Sequence, residues 1–155
     1  MSSPTNPEVA EVFLRIGDLM EYQEQNGFKV RSYWRVAEVL LALDEPLTNV
    51  AARGELEKLP GVGEAITGKI GEILATGTCG LYERLKGEVP AHIQALLVVP
   101  GLTPRLVRIL ERERGVKDLD SLQAVLATGG LDDVPNLNAT DRAQILRAAL
   151  AGPSR

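Results

Sequence analysis

Leu59-Pro60-Gly61-Val62-Gly63-Glu64-Ala65-Ile66-Thr67-Gly68-Lys69-Ile70 recurs without gaps as Val99-Pro100-Gly101-Leu102-Thr103-Pro104-Arg105-Leu106-Val107-Arg108-Ile109-Leu110. It recurs again as Val134-Pro135-Asn136-Leu137-Asn138-Ala139-Thr140-Asp141-Arg142-Ala143-Gln144-Ile145. Each copy reads apolar, Pro, Gly or Asn, apolar, a small or polar residue, then seven residues into an amphipathic helix. A Gly-apolar-Gly turn lets the backbone take positive φ and approach a ligand with no Cβ in the way, and the following helix presents unpaired N–H groups. Together these form an anion cradle. The middle residue, Val62 or Leu102, anchors the turn in the core. Asn136 and Asn138 preserve the left-handed geometry in the third copy but add side chains that obstruct a close anion, so that copy reads as structural.

Outward from the repeat, the pattern is helical throughout. Asn6-Pro7-Glu8 reads as a helix start, with a capping side chain, proline in the first turn and a carboxylate at the positive dipole end. Val9, Val12, Phe13, Ile16, Leu19 and Met20 then keep the 3.6-residue period. Gly27 is predicted to end that helix. A second is expected from Lys29 to Leu43, with Val30, Tyr33, Val36, Ala37, Leu40 and Leu41 on one stripe and Arg31 and Arg35 opposite. Asp44-Glu45-Pro46 stops it, and Thr48 opens a short helix ending near Gly54. No stretch alternates with period two, so the expectation is an all-α fold of two small helical subdomains.

The 155 residues carry 45% apolar and 25% charged residues, a composition suited to one ordinary globular domain or two small ones. No apolar run approaches the roughly 20 residues of a membrane helix, and no basic-apolar leader is evident, so a cytoplasmic location is expected, nucleoid-associated in a bacterium. A single cysteine and a single histidine exclude an internal disulfide and a Cys/His zinc site. The net charge of −4 excludes a blanket electrostatic grip on nucleic acid. Its distribution is uneven: residues 1–27 hold Glu8, Glu11, Asp18, Glu21 and Glu24 against Arg15, whereas the rest of the chain is nearly balanced. A chain of this charge that binds DNA must aim backbone donors at phosphates.

Leu59 to Gly63 with its helix resembles a helix-hairpin-helix, which grips DNA phosphates through backbone amides. Residues 6–150 further resemble the N-terminal part of a family X DNA polymerase. The carriers are Asn26-Gly27-Phe28-Lys29-Val30-Arg31-Ser32-Tyr33, the first hairpin with Lys69-Ile70-Gly71-Glu72-Ile73, Thr76-Gly77, and Val99-Pro100-Gly101-Leu102. The resemblance implies an 8-kDa-like helical domain over 1–87, with its hairpin at 59–70, that holds the 5′-phosphate side of a gap. It implies a fingers-like domain over 88–155, with a second hairpin at 99–110 and a degenerate third at 134–145. The catalytic palm of that family has no counterpart in these residues, so no polymerisation is expected of this chain alone.

Gly61, Gly63 and Glu64 are expected to offer amides to one phosphate, and Gly101, Thr103 and Arg105 to another. Thr103 replaces the usual second glycine. The resemblance also implies a monovalent cation, Na⁺ or K⁺, on the carbonyls of Leu59, Val62, Val99 and Leu102, and no catalytic cofactor. The family's repair members carry lyase chemistry, in which a lysine of lowered pKa attacks an abasic sugar aldehyde. Lys69 matches that nucleophile, with Tyr33 alongside and Lys29, Arg31 and Arg35 in the phosphate-holding region. Ala65 and Gly68 depart from the repair pattern, and an ion pair with Glu72 is the alternative role for Lys69. Trp34 is open between stacking on a base and packing between helices. Asp118 and Asp120 share the D-x-D spacing of a two-metal site but read as turn and cap residues before Ser121. His92 and Cys79 are read as non-functional, Cys79 as a loop thiol.

Three functions compete. The first is a sequence-non-specific DNA-binding module of repair, acting on gapped, nicked or 5′-phosphate-bearing DNA. The second is a 5′-deoxyribose-phosphate lyase working through a Lys69 Schiff base. The third is a polymerase-assembly subunit that acts with a catalytic partner chain or a missing palm. No membrane partner is expected.

Overall fold

A computed structural model describes residues 3–128 together with Asp141, Gln144, Ile145, Arg147 and Ala148. The described residues are helical with no strand, and the chain divides into two compact units, Met1–Glu88 and Val89–Arg155.

The first unit opens with α1 (Asn6–Tyr22) and α2 (Gly27–Leu41). The cap of α1 is Thr5, one residue before the predicted Asn6. Its hydroxyl accepts the Glu8 N–H while the Glu8 carboxylate accepts the Thr5 N–H at 2.8 Å, a reciprocal capping box. Asn6 is thereby free to bond across the fold. Its side chain donates to the Glu45 carbonyl at 2.8 Å and accepts the Leu47 N–H at 2.7 Å. That clamp brings the start of α1 to the segment after α2, so the two helices run antiparallel. Gly27 does not end α1. It starts α2, whose cap Asn26 accepts the N–H groups of Phe28 and Lys29. α1 stops at Tyr22, and the connection passes through Glu24 at φ 59.

Their apolar stripes meet as the period requires. Phe13, Ile16, Val30 and Leu40 have no exposed surface, and the Phe13 and Tyr33 rings stack 6.2 Å apart at 14°. The short α3 (Leu47–Ala52) leads through a 3-10 turn at Leu56–Lys58 into the first hairpin. The hairpin is followed by α4 (Glu64–Thr76) and α5 (Gly80–Glu88), both of which pack on α1. Cys79 lies in the loop between α4 and α5, as expected, with its thiol buried in the core.

In the second unit, α6 (Ala91–Leu97), α7 (Pro104–Arg114) and α8 (Leu119–Ala127) surround a core including Ile93, Leu96, Leu110 and Leu122. Asp118 caps α8, accepting the Ser121 N–H at 2.8 Å, while the Ser121 hydroxyl takes the Asp118 N–H in return. This commits the first carboxylate of the D-x-D pair to capping. Most of the third repeat, 134–145, lies outside the described residues; of its helix, Ile145 is fully buried. No described helix is long and apolar enough to cross a membrane.

Candidate nucleic-acid interface

Both hairpins are built the same way. Pro60 and Gly61 occupy the two central positions of a turn in which Val62 N–H donates to the Leu59 carbonyl at 3.1 Å, with Gly61 at φ +78. Pro100 and Gly101 repeat this, with Leu102 N–H on the Val99 carbonyl at 3.0 Å and Gly101 at φ +91. Proline followed by a left-handed glycine is the signature of a type II turn. Val62 and Leu102 are buried while the glycines of the turns are exposed, so each turn is pinned by its apolar residue and bare at its rim.

The cradles behind the turns differ. α4 begins at Gly63 with no side-chain cap, leaving its first-turn N–H groups facing solvent on exposed backbone at Gly63 and Glu64. α7 begins at Thr103, whose hydroxyl accepts the Leu106 N–H at 3.1 Å, and its first helical residue is Pro104, which has no N–H. A Cβ added to Gly101 would lie 2.9 Å from Ile145 Cγ1, whereas one on Gly61 would meet nothing within 4 Å. The first hairpin is therefore open, and the second is partly closed by its own cap and by Ile145.

Charge gathers on the open side. Of the basic residues in the first unit, Arg15, Arg53, Lys58, Arg84 and Lys86 are in ion pairs. Lys29, Arg31, Arg35 and Lys69 form none among the described residues. Arg31 and Arg35 line an open groove of about 900 Å³ together with Phe28, Trp34, Glu38 and Val39 of α2, Ala42 just after that helix, and Gly61 of the first hairpin. Lys29, Gly63, Glu64 and Lys69 are not in its lining.

Lys69 is half-buried on α4 and is not paired with Glu72, whose carboxylate instead accepts the Gly80 N–H at 3.3 Å. Tyr33 is 5% exposed, and burial pushes its phenol above the ordinary value of 10.0, with Cys79 adding to the shift and Arg84 opposing it. It serves the core through Phe13 rather than standing in the groove. Trp34 packs between helices, its Nε1–H donating to Asp18 at 3.1 Å and its indole lying over Gly17, and it also lines the groove. Phe28, 75% exposed, also lines the groove, and its exposure was not foreseen from the sequence. The available signal was its place directly after Asn26-Gly27 and off the buried stripe of α2.

Residues 4–79 match the helix-hairpin-helix domain family. The matched stretch lies within the first unit, which is therefore similar to that domain family over most of its length. Over 141 residues, 91% of this chain, the sequence is 26% identical to a Bacillus subtilis protein named DNA polymerase/3′-5′ exonuclease PolX. The match covers 24% of that enzyme, so the chain spans about a quarter of its relative's length. The chain is thus similar to the N-terminal region of that polymerase. The stretch matched by the helix-hairpin-helix family covers the uncapped first hairpin, Lys69 and the basic face of α2.

Proposed function

We propose that this chain is a sequence-non-specific DNA-binding module that grips the phosphates of gapped or nicked DNA in repair. The observation that carries the reading is the convergence on one groove of a bare glycine hairpin, two arginines without ion pairs and an exposed phenylalanine. Amides of Gly61, Gly63 and Glu64 hold one phosphate at the uncapped start of α4, with Lys29, Arg31 and Arg35 supplying positive charge nearby. Gly101, Thr103 and Arg105 offer a second, weaker cradle. Phe28 gives an unpaired base a surface to stack on, a contact worth about 1–3 kcal/mol in single-strand binders.

The test is binding to a gapped duplex by wild type and by the Gly61→Val, Gly101→Val double variant. Wild type binds any sequence, with a logarithmic salt slope of about −2 to −4 for a few phosphate contacts. The double variant loses about tenfold or more. Equal binding by both proteins rejects the reading.

A monovalent cation on the hairpin carbonyls is compatible with this site. The Leu59 and Val99 carbonyls each accept one N–H within the turn and keep a second lone pair. Leu59 and Val62 would hold one ion and Val99 and Leu102 another, steadying the turns while the amides meet phosphate.

A second reading is favoured by Lys69, a half-buried residue with no ion pair among the described residues. As a lyase nucleophile its neutral amine attacks the aldehyde of an abasic sugar, and loss of water leaves the Schiff base; transfer of the C2′ proton to water then breaks the C3′–O bond and expels the 3′-linked phosphate by β-elimination. Borohydride trapping of an abasic substrate, lost in Lys69→Ala, is the expected result. Trapping that persists in that variant excludes Lys69.

A further inference from the structure

Gly17 and Asp18 stand side by side in α1, and both serve one side chain of α2. A glycine inside a helix lowers its stability relative to alanine, and Gly17 has no positive φ to call for one. The reason lies on α2, because a Cβ at Gly17 would collide with Cδ1 and Nε1 of Trp34. Asp18 holds the same indole by its edge, accepting the Nε1–H on Oδ1 at 3.1 Å. Its other oxygen, Oδ2, lies 3.3 Å from Arg15, which has a closer partner in Glu11 at 2.7 Å. The Asp18 side chain is only 14% exposed, so its bond to Trp34 is well shielded from water.

The indole seated in this way also lines the groove of Arg31, Arg35 and Gly61. At about 100° per residue, Trp34 falls on one side of the arginine pair along α2 and Phe28 on the other. Phe28 is 75% exposed, whereas Trp34 is half-buried and fixed from α1 by two residues that do not themselves line the groove. A phosphate on the arginines brings its sugar and base with it. A wall already in place spares the ordering of a large side chain at that moment.

We propose that Asp18 is a positioning residue for DNA binding: through its hydrogen bond it fixes the Trp34 indole as the preformed wall against which the nucleotide held by Arg31 and Arg35 packs. Asp18 itself touches no DNA. This role rests on the phosphate-gripping reading and adds to it a residue of α1 that lies outside the groove.

The test titrates an end-labelled gapped duplex with the full chain carrying Asp18→Asn or Asp18→Ala, each alone and combined with Trp34→Phe. Both substitutions at Asp18 remove the same charge, and only asparagine keeps an acceptor for the Nε1–H, so their difference reads the hydrogen bond apart from any change in net charge. Asp18→Ala should bind about three- to tenfold more weakly than Asp18→Asn, the loss expected when one bulky side chain must be ordered on binding. Trp34, the only tryptophan of the chain, should show a lower fluorescence anisotropy in free Asp18→Ala and keep the wild-type value in Asp18→Asn. Combined with Trp34→Phe, which removes the Nε1–H, the two Asp18 variants should bind alike. Where Asp18→Ala unfolds the chain, as circular dichroism shows, Asp18→Leu replaces it, being neutral, without an acceptor and close to asparagine in size. Equal binding by the acceptor and non-acceptor variants overturns the proposal, and so does a difference that persists in the Trp34→Phe background. Arg31→Glu with Arg35→Glu separates the two readings. If that variant loses binding while the Asp18 variants bind alike, only the role of Asp18 fails; if it binds as wild type does, the groove reading fails and the role of Asp18 falls with it.

Discussion

At Gly17 one added methyl group would collide with an indole. A Cβ there would stand 2.4 Å from Trp34 Cδ1 and Nε1, inside any real contact, and Trp34 is held in place by its hydrogen bond to Asp18. Gly17→Ala should therefore lower stability by about 1–3 kcal/mol, as overpacking does, and urea unfolding followed at Trp34 measures it. The hairpin glycines separate binding from stability instead. Gly63 has an ordinary φ of −97 and open space around its Cβ position, so Gly63→Ala should cost less than about 1 kcal/mol while placing a methyl on the anion cradle. If its gapped-DNA affinity matches wild type, Gly63 does not touch phosphate.

Asp18 gives a pH signature at the same scale. Burial pushes its carboxyl above the ordinary 3.8, against the opposing pull of Arg15 and the Trp34 hydrogen bond. A raised folded-state value means that the folded protein holds the proton more tightly, so this contribution is present below pH 3.8 and is lost as pH rises through the folded value. The stability of Asp18→Asn relative to wild type should accordingly increase over that interval and then level off. A flat difference across it would show that Asp18 titrates alike in both states. The half-buried Glu55 behaves oppositely, held down to about 2 by Lys58 and Arg53.

Elements show where local chemistry is readable and where it is not. Thr103 caps α7 through the Leu106 N–H, so Thr103→Ala should destabilise the second unit by about 1 kcal/mol, measurable by thermal or denaturant unfolding. Turn chemistry was legible because Pro-Gly at fixed positions dictates backbone angles by itself, and both hairpins adopt the angles that the repeat implies. Apolar periodicity likewise gave the facing stripes of α1 and α2. Helix boundaries were less legible. Asn6 and Thr5 are both good caps, and the choice fell to Thr5 because Asn6 was needed by Glu45 and Leu47, about 40 residues away. Trp34 was undecidable for the same kind of reason, since Gly17 and Asp18, which receive it, belong to another helix. Lys69 and Glu72 have the spacing of a helical ion pair, yet the Gly80 N–H claims the carboxylate.

For the whole molecule, the question is whether net or local charge governs binding. The chain carries −4 overall, yet its acidic excess is concentrated in the first 27 residues, while the cations without ion pairs in the first unit are Lys29, Arg31, Arg35 and Lys69. Two double variants change net charge by the same amount at different places: Arg31→Glu with Arg35→Glu in the groove, and Lys58→Glu with Arg84→Glu at exposed ion-paired positions. If the molecule binds DNA as a diffuse charge, both should weaken affinity for gapped duplex equally and shift its salt dependence in parallel. If the groove is the binding surface, the first pair should cost about tenfold or more and flatten the salt slope by about two phosphate contacts, and the second should stay within about threefold of wild type. Titrations at two salt concentrations distinguish these outcomes, because only loss of direct phosphate contacts changes the slope as well as the affinity.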